Sequence, residues 1–220
     1  MDFLKYEHPP ETKYPLKYAD IVTIDLSEYD RPGGKETLAQ KFKQEMLTDE
    51  GFFYITNIGL SQEEIDLQFA IAKAFFEQPE EERLRHRAPL KDGSYNGYRP
   101  LGALSLFPGM KDTLEFYSIF KFIPQSERSH PDLIKKYSME IERFSRFMHE
   151  NVSFKLLEIL AAMLELPDDQ FVSGNRYEDE CDSSIRYMLY HARSQEENRM
   201  FDDTYFRGHT DKGTMTFLFQ

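Results

Sequence analysis

Ile185-Arg186-Tyr187-Met188-Leu189-Tyr190, followed after a polar loop by Gly208-His209-Thr210-Asp211-Lys212-Gly213-Thr214-Met215-Thr216-Phe217-Leu218-Phe219-Gln220, is the stretch on which the fold turns. Both runs are rich in β-branched and aromatic residues, so each predicts a strand, the first from Ser184 to Tyr190. In the second an imidazole and a carboxylate stand two residues apart, and on a strand such residues share a face. His209 and Asp211 can therefore ligate one metal ion. In a 2-His-1-carboxylate triad these two ligands share a strand and a distant histidine completes one face of an octahedron, with iron(II) the expected metal. The bare tripeptide is a weak signal, because His130-Pro131-Asp132 matches it too. There, proline at the first helical position and aspartate in the first turn predict a helix start. For His209 and Asp211, a polar turn before a strand is the competing local reading.

Upstream of this stretch the periodicity is helical. From Pro131 to Leu166, Leu133, Tyr137, Ile141, Phe144, Met148, Leu156, Leu160 and Leu164 recur every few residues until Pro167, which predicts one long helical region. Leu38, Phe42 and Met46 predict a helix from Lys35 onward, after Pro32-Gly33-Gly34. Ser61-Gln62-Glu63-Glu64 is a capping box that opens a helix lined by Ile65, Phe69, Ala72 and Phe76. Pro79 and three glutamates predict another short helix, since acids suit the positive end of the helix dipole. Short strands are predicted for Asp20–Leu26 and, as a buried aromatic run, for Gly51–Asn57, while Gly93, Gly97, Pro100 and Gly102 predict a loop. The fold class is α+β: residues 1–182 mainly helical, residues 183–220 the first strands of a β domain. Two or three strands cannot close a barrel, and Phe217 and Phe219 would lie on an open edge suited to self-association.

Composition narrows the function. Thirty-nine acidic against 27 basic residues give a net charge of −12, which disfavours phosphate backbones and anionic lipid. The single cysteine, Cys181, excludes an internal disulfide and predicts a reducing compartment. It has no basic neighbour within the acidic run Glu178–Asp182, which itself lacks the ligand spacing of a calcium loop and reads as solvated. No apolar run resembles a signal peptide or a membrane span, so a cytoplasmic location without membrane contact is expected. Gly-x-Ser-x-Gly, phosphate-binding glycine loops and His-Glu-x-x-His are absent, which leaves hydrolase, kinase and zinc-protease readings without support.

Taken together, the segments resemble the isopenicillin N synthase-like branch of the iron(II)/2-oxoglutarate-dependent oxygenases. Ile21–Leu26 resembles the family's opening strand and Gly51-Phe52-Phe53-Tyr54-Ile55-Thr56-Asn57-Ile58-Gly59 its Gly-Phe-Phe strand and turn, with Ile58 where histidine is usual. Ala74-Phe75-Phe76 with Pro79 is similar to the next helix pair, and Gly97-Tyr98 to the Gly-Tyr that follows. The two opening runs have the order and spacing of the family's metal-bearing strands. The resemblance implies that His209 and Asp211 bind iron(II), and that Tyr190 helps hold the distal carboxylate of 2-oxoglutarate; a core tyrosine is the alternative. Met188 stands where plant members carry Asn, and His191 where many carry Pro. The implied fold is a double-stranded β-helix, or jelly roll. The implied activity is oxidation of a C–H bond of a small molecule by dioxygen, giving hydroxylation, desaturation or cyclisation, with 2-oxoglutarate as cosubstrate and ascorbate as a further cofactor. The family's second histidine and its Arg-x-Ser follow tens of residues after the His-x-Asp, whereas this sequence runs nine residues past Asp211. The expectation is thus an incomplete triad and β-helix, with His191, at the end of the neighbouring strand, best placed to approach. The competing expectation is a catalytically silent relative that serves as a binding module.

Overall fold

The computed structural model describes residues 4–18, 20–45 and 52–219. The strands are β1 (Thr23–Asp25), β2 (Tyr54–Thr56), β3 (Gly97–Arg99), β4 (Ser105–Phe107), β5 (Met110–Lys111), β6 (Leu114–Phe120) and β7 (Ser184–Tyr190). The α-helices are α1 (Gly34–Glu45), α2 (Gln62–Phe76), α3 (Glu80–Leu84), α4 (Asp132–Lys136), α5 (Ser138–Phe147), α6 (Phe154–Met163), α7 (Asp169–Val172) and α8 (Gln195–Met200). The architecture is mixed helix and sheet. It divides into two compact units, one formed by residues 1–4, 67–145 and 180–220, the other by 5–66 and 146–179.

The first unit is built on an antiparallel sheet of order β3-β6-β7. β6 is central, with Tyr117 opposite Tyr98 on one side and opposite Tyr187 on the other. Alternation sends Tyr98, Tyr117, Ile119 and Tyr187 to one face, where they pack with Ile71 and Phe75 of α2, Ile134 of α4, Tyr137, and Ile141 of α5. The Tyr187 hydroxyl is satisfied in this core by donating to Gln68 Oε1 at 2.8 Å. β6 reads Leu-Glu-Phe-Tyr-Ser-Ile-Phe and is buried on both faces over its first six residues. A strand covered on both sides loses the alternation that announces a strand in sequence. The expectation that the β domain begins near residue 184 is therefore corrected: β7 pairs with β6, and through it with β3, both of which lie far upstream in the chain. β3 likewise starts at Gly97, inside the predicted loop.

The second unit pairs β1 with β2 in parallel, Ile24 opposite Ile55, and packs α1 on α6, with Leu38, Ala39 and Phe42 of α1 and Leu156, Leu157 and Ile159 of α6 buried. β2 is not buried as predicted: Phe52 and Tyr54 are exposed. Asn57, at φ 54°, and Gly59, at φ 94°, make the expected turn after it. The capping box holds, Glu64 N–H donating to Ser61 Oγ at 3.2 Å and Ser61 N–H to the Glu64 carboxylate at 3.0 Å. Met46 and Gly51, which figure in the predicted first helix and second strand, lie outside the described residues.

The long helical region is broken twice. Tyr137 leaves the helical conformation (φ −108°, ψ 17°), and residues 148–153 form a π-helical turn. The extra residue of a π turn rotates the helix face that follows. Burial accordingly falls on Leu157 and Ala161 rather than on Leu160 and Leu164, the latter exposed. Pro79 and Pro131 occupy the position just before the first helical residue instead of the first turn itself.

The predicted strand beyond His209 belongs to no sheet among the described residues. Met215, Phe217 and Phe219 are half-buried while Thr214, Thr216 and Leu218 are exposed, so the segment keeps a strand's two-residue period without a ladder. What is missing is a partner for its backbone groups. The Phe219 ring packs edge-on to that of Phe144 at 5.5 Å. No helix among the described residues is long and apolar enough to cross a membrane.

Candidate metal centre

His209 and Asp211 come together. Nε2 of His209 lies 3.1 Å from Oδ1 of Asp211, and both side chains are about half-exposed. Nδ1 of His209 lies 2.9 Å from the Arg207 carbonyl oxygen. A carbonyl only accepts, so Nδ1 carries the proton and the Nε2 lone pair faces the carboxylate. At that separation the two atoms can also serve as two donors to one metal ion. Donors bonded at about 2.1 Å and at right angles on one ion stand about 3.0 Å apart, so the spacing fits a shared ion. The Phe206 ring packs edge-on to the imidazole at 4.7 Å and limits its rotation. The pair sits on an irregular segment and not, as predicted, on a paired strand.

The other histidines are engaged elsewhere. His191 Nε2 lies 2.8 Å from Oε1 of the buried Glu115. His130 Nδ1 accepts from the Tyr117 hydroxyl at 2.7 Å and precedes α4, the helix start that Pro131 and Asp132 predict. His8 meets Asp66, and His149 lies against the Asn175 carbonyl. Among the described residues no three His, Cys, Asp or Glu side chains converge as a metal site.

Tyr190, at the end of β7, is 48% exposed, which does not suit a core tyrosine. Its ring meets Tyr205 at 6.1 Å. It shares a face of β7 with Arg186 and Met188. Arg186 was not singled out from the sequence. Its Nε donates to Ser118 Oγ at 2.9 Å, its guanidinium lies 4.4 Å over the Phe116 ring, and Asp211 is near enough to act on it electrostatically.

Cys181 also differs from expectation. Burial pushes its thiol up, but hydrogen bonds involving Ser183 and the Lys121 ammonium outweigh that and leave it below the usual range. Lys121, at the end of β6, is sixty residues away in sequence and invisible to a local reading. The acidic run is solvated as expected, Glu178 pairing with Arg146 at 3.1 Å and Asp179 with Arg176 at 3.0 Å.

Residues 21–140, more than half of the chain, match the family described as the N-terminal region of non-haem dioxygenase in morphine synthesis. The chain belongs to this non-haem iron(II)/2-oxoglutarate oxygenase family. It is 26% identical over 214 residues to the proline hydroxylase buaE of Petromyces alliaceus, a match covering 91% of this chain and 64% of the relative. Among solved structures it superposes with TM-score 0.65 on a full-length Neurospora crassa protein in complex with alpha-KG and thymine, at 19% identity, covering 82% of this chain and 58% of that one. A 2OG-Fe(II) oxygenase family protein from Caulobacter crescentus gives TM-score 0.56 at 24% identity, covering 70% of this chain and 52% of that one. At these identities the superpositions show a shared fold. The chain spans 60% and 64% of the length of the first curated relatives it matches.

Proposed function

We propose that His209 and Asp211 are two protein ligands of an iron(II) centre, and that the protein is a 2-oxoglutarate-dependent oxygenase acting on a C–H bond of a small molecule. The observation that carries this reading is the facing of His209 Nε2 and Asp211 Oδ1 at 3.1 Å with Nδ1 tied to a backbone carbonyl. That carbonyl fixes the tautomer whose Nε2 is free to bind metal. Iron(II) held there supplies activation of dioxygen, with 2-oxoglutarate as the co-oxidised partner. Within this reading β7 and the segment from His209 open the double-stranded β-helix, and the exposed Tyr190 hydroxyl is available to a cosubstrate carboxylate. Hydroxylation, desaturation and ring closure all remain within this chemistry, and the protein's own task is to position the substrate and exclude water.

Support comes from membership of the family and from the named relatives: a proline hydroxylase by name, and a fungal protein crystallised with alpha-KG and thymine. The test is anaerobic titration of the chain with iron(II), then exposure to air with 2-oxoglutarate while succinate is measured. Stoichiometric binding and oxoglutarate-dependent succinate release bear the reading out. Absence of both, with oligomers that grow with protein concentration, replaces it with the silent binding module.

A further inference from the structure

We infer that Arg186 is the substrate-recognition residue of this centre, and that the substrate carries a carboxylate on an apolar or aromatic body. The inference rests on the metal reading above for the commitment of Asp211 to the ion, which leaves the guanidinium to an incoming anion.

The sheet face opposite the core carries two guanidiniums over one ring. Arg99 lies 5.3 Å and Arg186 4.4 Å from the Phe116 centroid. Their partners differ. Arg99 is 2% exposed, and its two terminal nitrogens donate to the Asp112 carboxylate and the Leu114 carbonyl, so its charge is neutralised within the fold. Arg186 bonds through Nε alone, to Ser118 Oγ. Its terminal nitrogens have no hydrogen-bond partner, and its guanidinium no carboxylate within ion-pair distance, among the described residues. Arg186 is itself an exposed residue of β7, so its side chain is open to solvent. In a chain of 39 acidic residues this is an unneutralised planar fork held by a ring and a hydroxyl, the arrangement that takes a carboxylate bidentately.

The carboxylate that does act on Arg186 is Asp211, which the metal reading assigns to iron. An incoming anion is then what balances the guanidinium. Around the fork the surface is apolar: Tyr95, Met188 and Tyr190 are large hydrophobic side chains left exposed, the last two on the same face of β7, and the Arg186 guanidinium lies 5.7 Å over the Tyr95 ring. A single charged anchor beside such a surface selects one carboxylate attached to a hydrophobic body rather than a polyanion or a sugar.

The experiment titrates the full chain with benzoate, and with benzamide as its neutral counterpart, by ligand-observed NMR at low salt. Benzoate is expected to bind more than about tenfold tighter than benzamide, and Arg186→Gln to abolish the difference. Arg186→Lys, which keeps the charge over Phe116 but removes the fork, is expected to lose most of it and carries the test if Arg186→Gln does not fold. Equal binding of the two probes, or an unchanged preference in either folded variant, overturns the inference. So does displacement of benzoate by 2-oxoglutarate together with loss of 2-oxoglutarate binding in the variant, since the fork is then a cosubstrate site. Cobalt(II) titration of the same samples separates this from the metal assignment: benzoate preference without metal binding sinks only the latter, and metal binding without benzoate preference sinks only the former.

Discussion

The Tyr117 hydroxyl donates to Nδ1 of His130 at 2.7 Å, on the sheet face that packs against α2, α4 and α5. Burial, with the nearby charges of Arg128, His86 and Lys135, holds this imidazole down to about 4. Its proton acceptor is thereby kept for the tyrosine and withheld from metal.

His130 makes the fold acid-sensitive. The unfolded chain protonates this ring near 6.5 and the folded chain near 4, so only the unfolded state gains a proton between those values. The stability this group contributes is complete above pH 6.5 and is lost as the pH falls toward 4. After discounting for the part of the ring that solvent reaches, the loss is about 2 kcal/mol. Urea unfolding of wild type and His130→Asn at about pH 7 and about pH 4.5 checks it. The variant is expected to be weaker at the higher pH and to lose less between the two; parallel losses contradict the assignment.

Glu115 lies two residues before Tyr117 on β6. It is 2% exposed, accepts from the Tyr98 hydroxyl and from His191 Nε2 at 2.8 Å, and lies 3.5 Å from Arg83 Nη1. Removing one member of a buried charged network strands the others, and Arg83 Nε already lacks a partner. Glu115→Ala is expected to cost about 3 kcal/mol or more, and Glu115→Gln somewhat less, because the amide still accepts from Tyr98. Denaturant midpoints within experimental scatter of wild type would remove the network from the account of stability.

Metal binding separates the two His-x-Asp tripeptides. His209→Ala and Asp211→Ala are each expected to weaken cobalt(II) or iron(II) binding more than about tenfold, and His130→Ala to leave it unchanged. Anaerobic titrations of the three variants decide it, and equal effects from all three are inconsistent with the site. Adding Asp211→Asn distinguishes loss of charge from loss of a donor.

What the sequence disclosed and what it hid follow from the range of the interactions. Local devices were legible: the Ser61 cap, the Asn57 turn, the start of α4, and β7 with its boundaries at Ser184 and Tyr190. So was the meeting of His209 with Asp211, which needs only two residues of separation. β6 was hidden because burial on both faces erases its alternation, and with it went the sheet that orients β7. Arg186 and Lys121 were hidden for another reason. Arginine on a strand and lysine at a strand end carry no local pattern, and their roles arise from Ser118, Phe116 and Cys181, which the fold brings near. The break in the long helical region shows the converse: the apolar period is legible in the sequence, but the π turn at residues 148–153 shifts the face it describes.

Gly97 offers the sharpest test of the sheet itself. It begins β3 at φ +124°, a conformation that side chains rarely adopt. A Cβ there would meet the His86 carbonyl oxygen at 2.7 Å, as well as the Arg128 guanidinium. The arginine could swing away, but the carbonyl cannot easily do so: it accepts from Tyr98 N–H at 2.9 Å and from Arg128 Nη2 at 3.0 Å, and the Tyr98 carbonyl in turn accepts from Ala88 N–H at 2.8 Å. Substitution must therefore strain the backbone or detach residues 86–88 from β3. Gly97→Ala is expected to lose about 2 to 4 kcal/mol, combining a positive-φ penalty with a broken pairing, whereas Gly93→Ala, at φ +82° with nothing within 4 Å, should lose about 1 kcal/mol. Thermal and urea unfolding of the two variants measure the gap. Amide exchange at Tyr98 and Ala88 locates it, since these N–H groups should lose protection in the Gly97 variant alone.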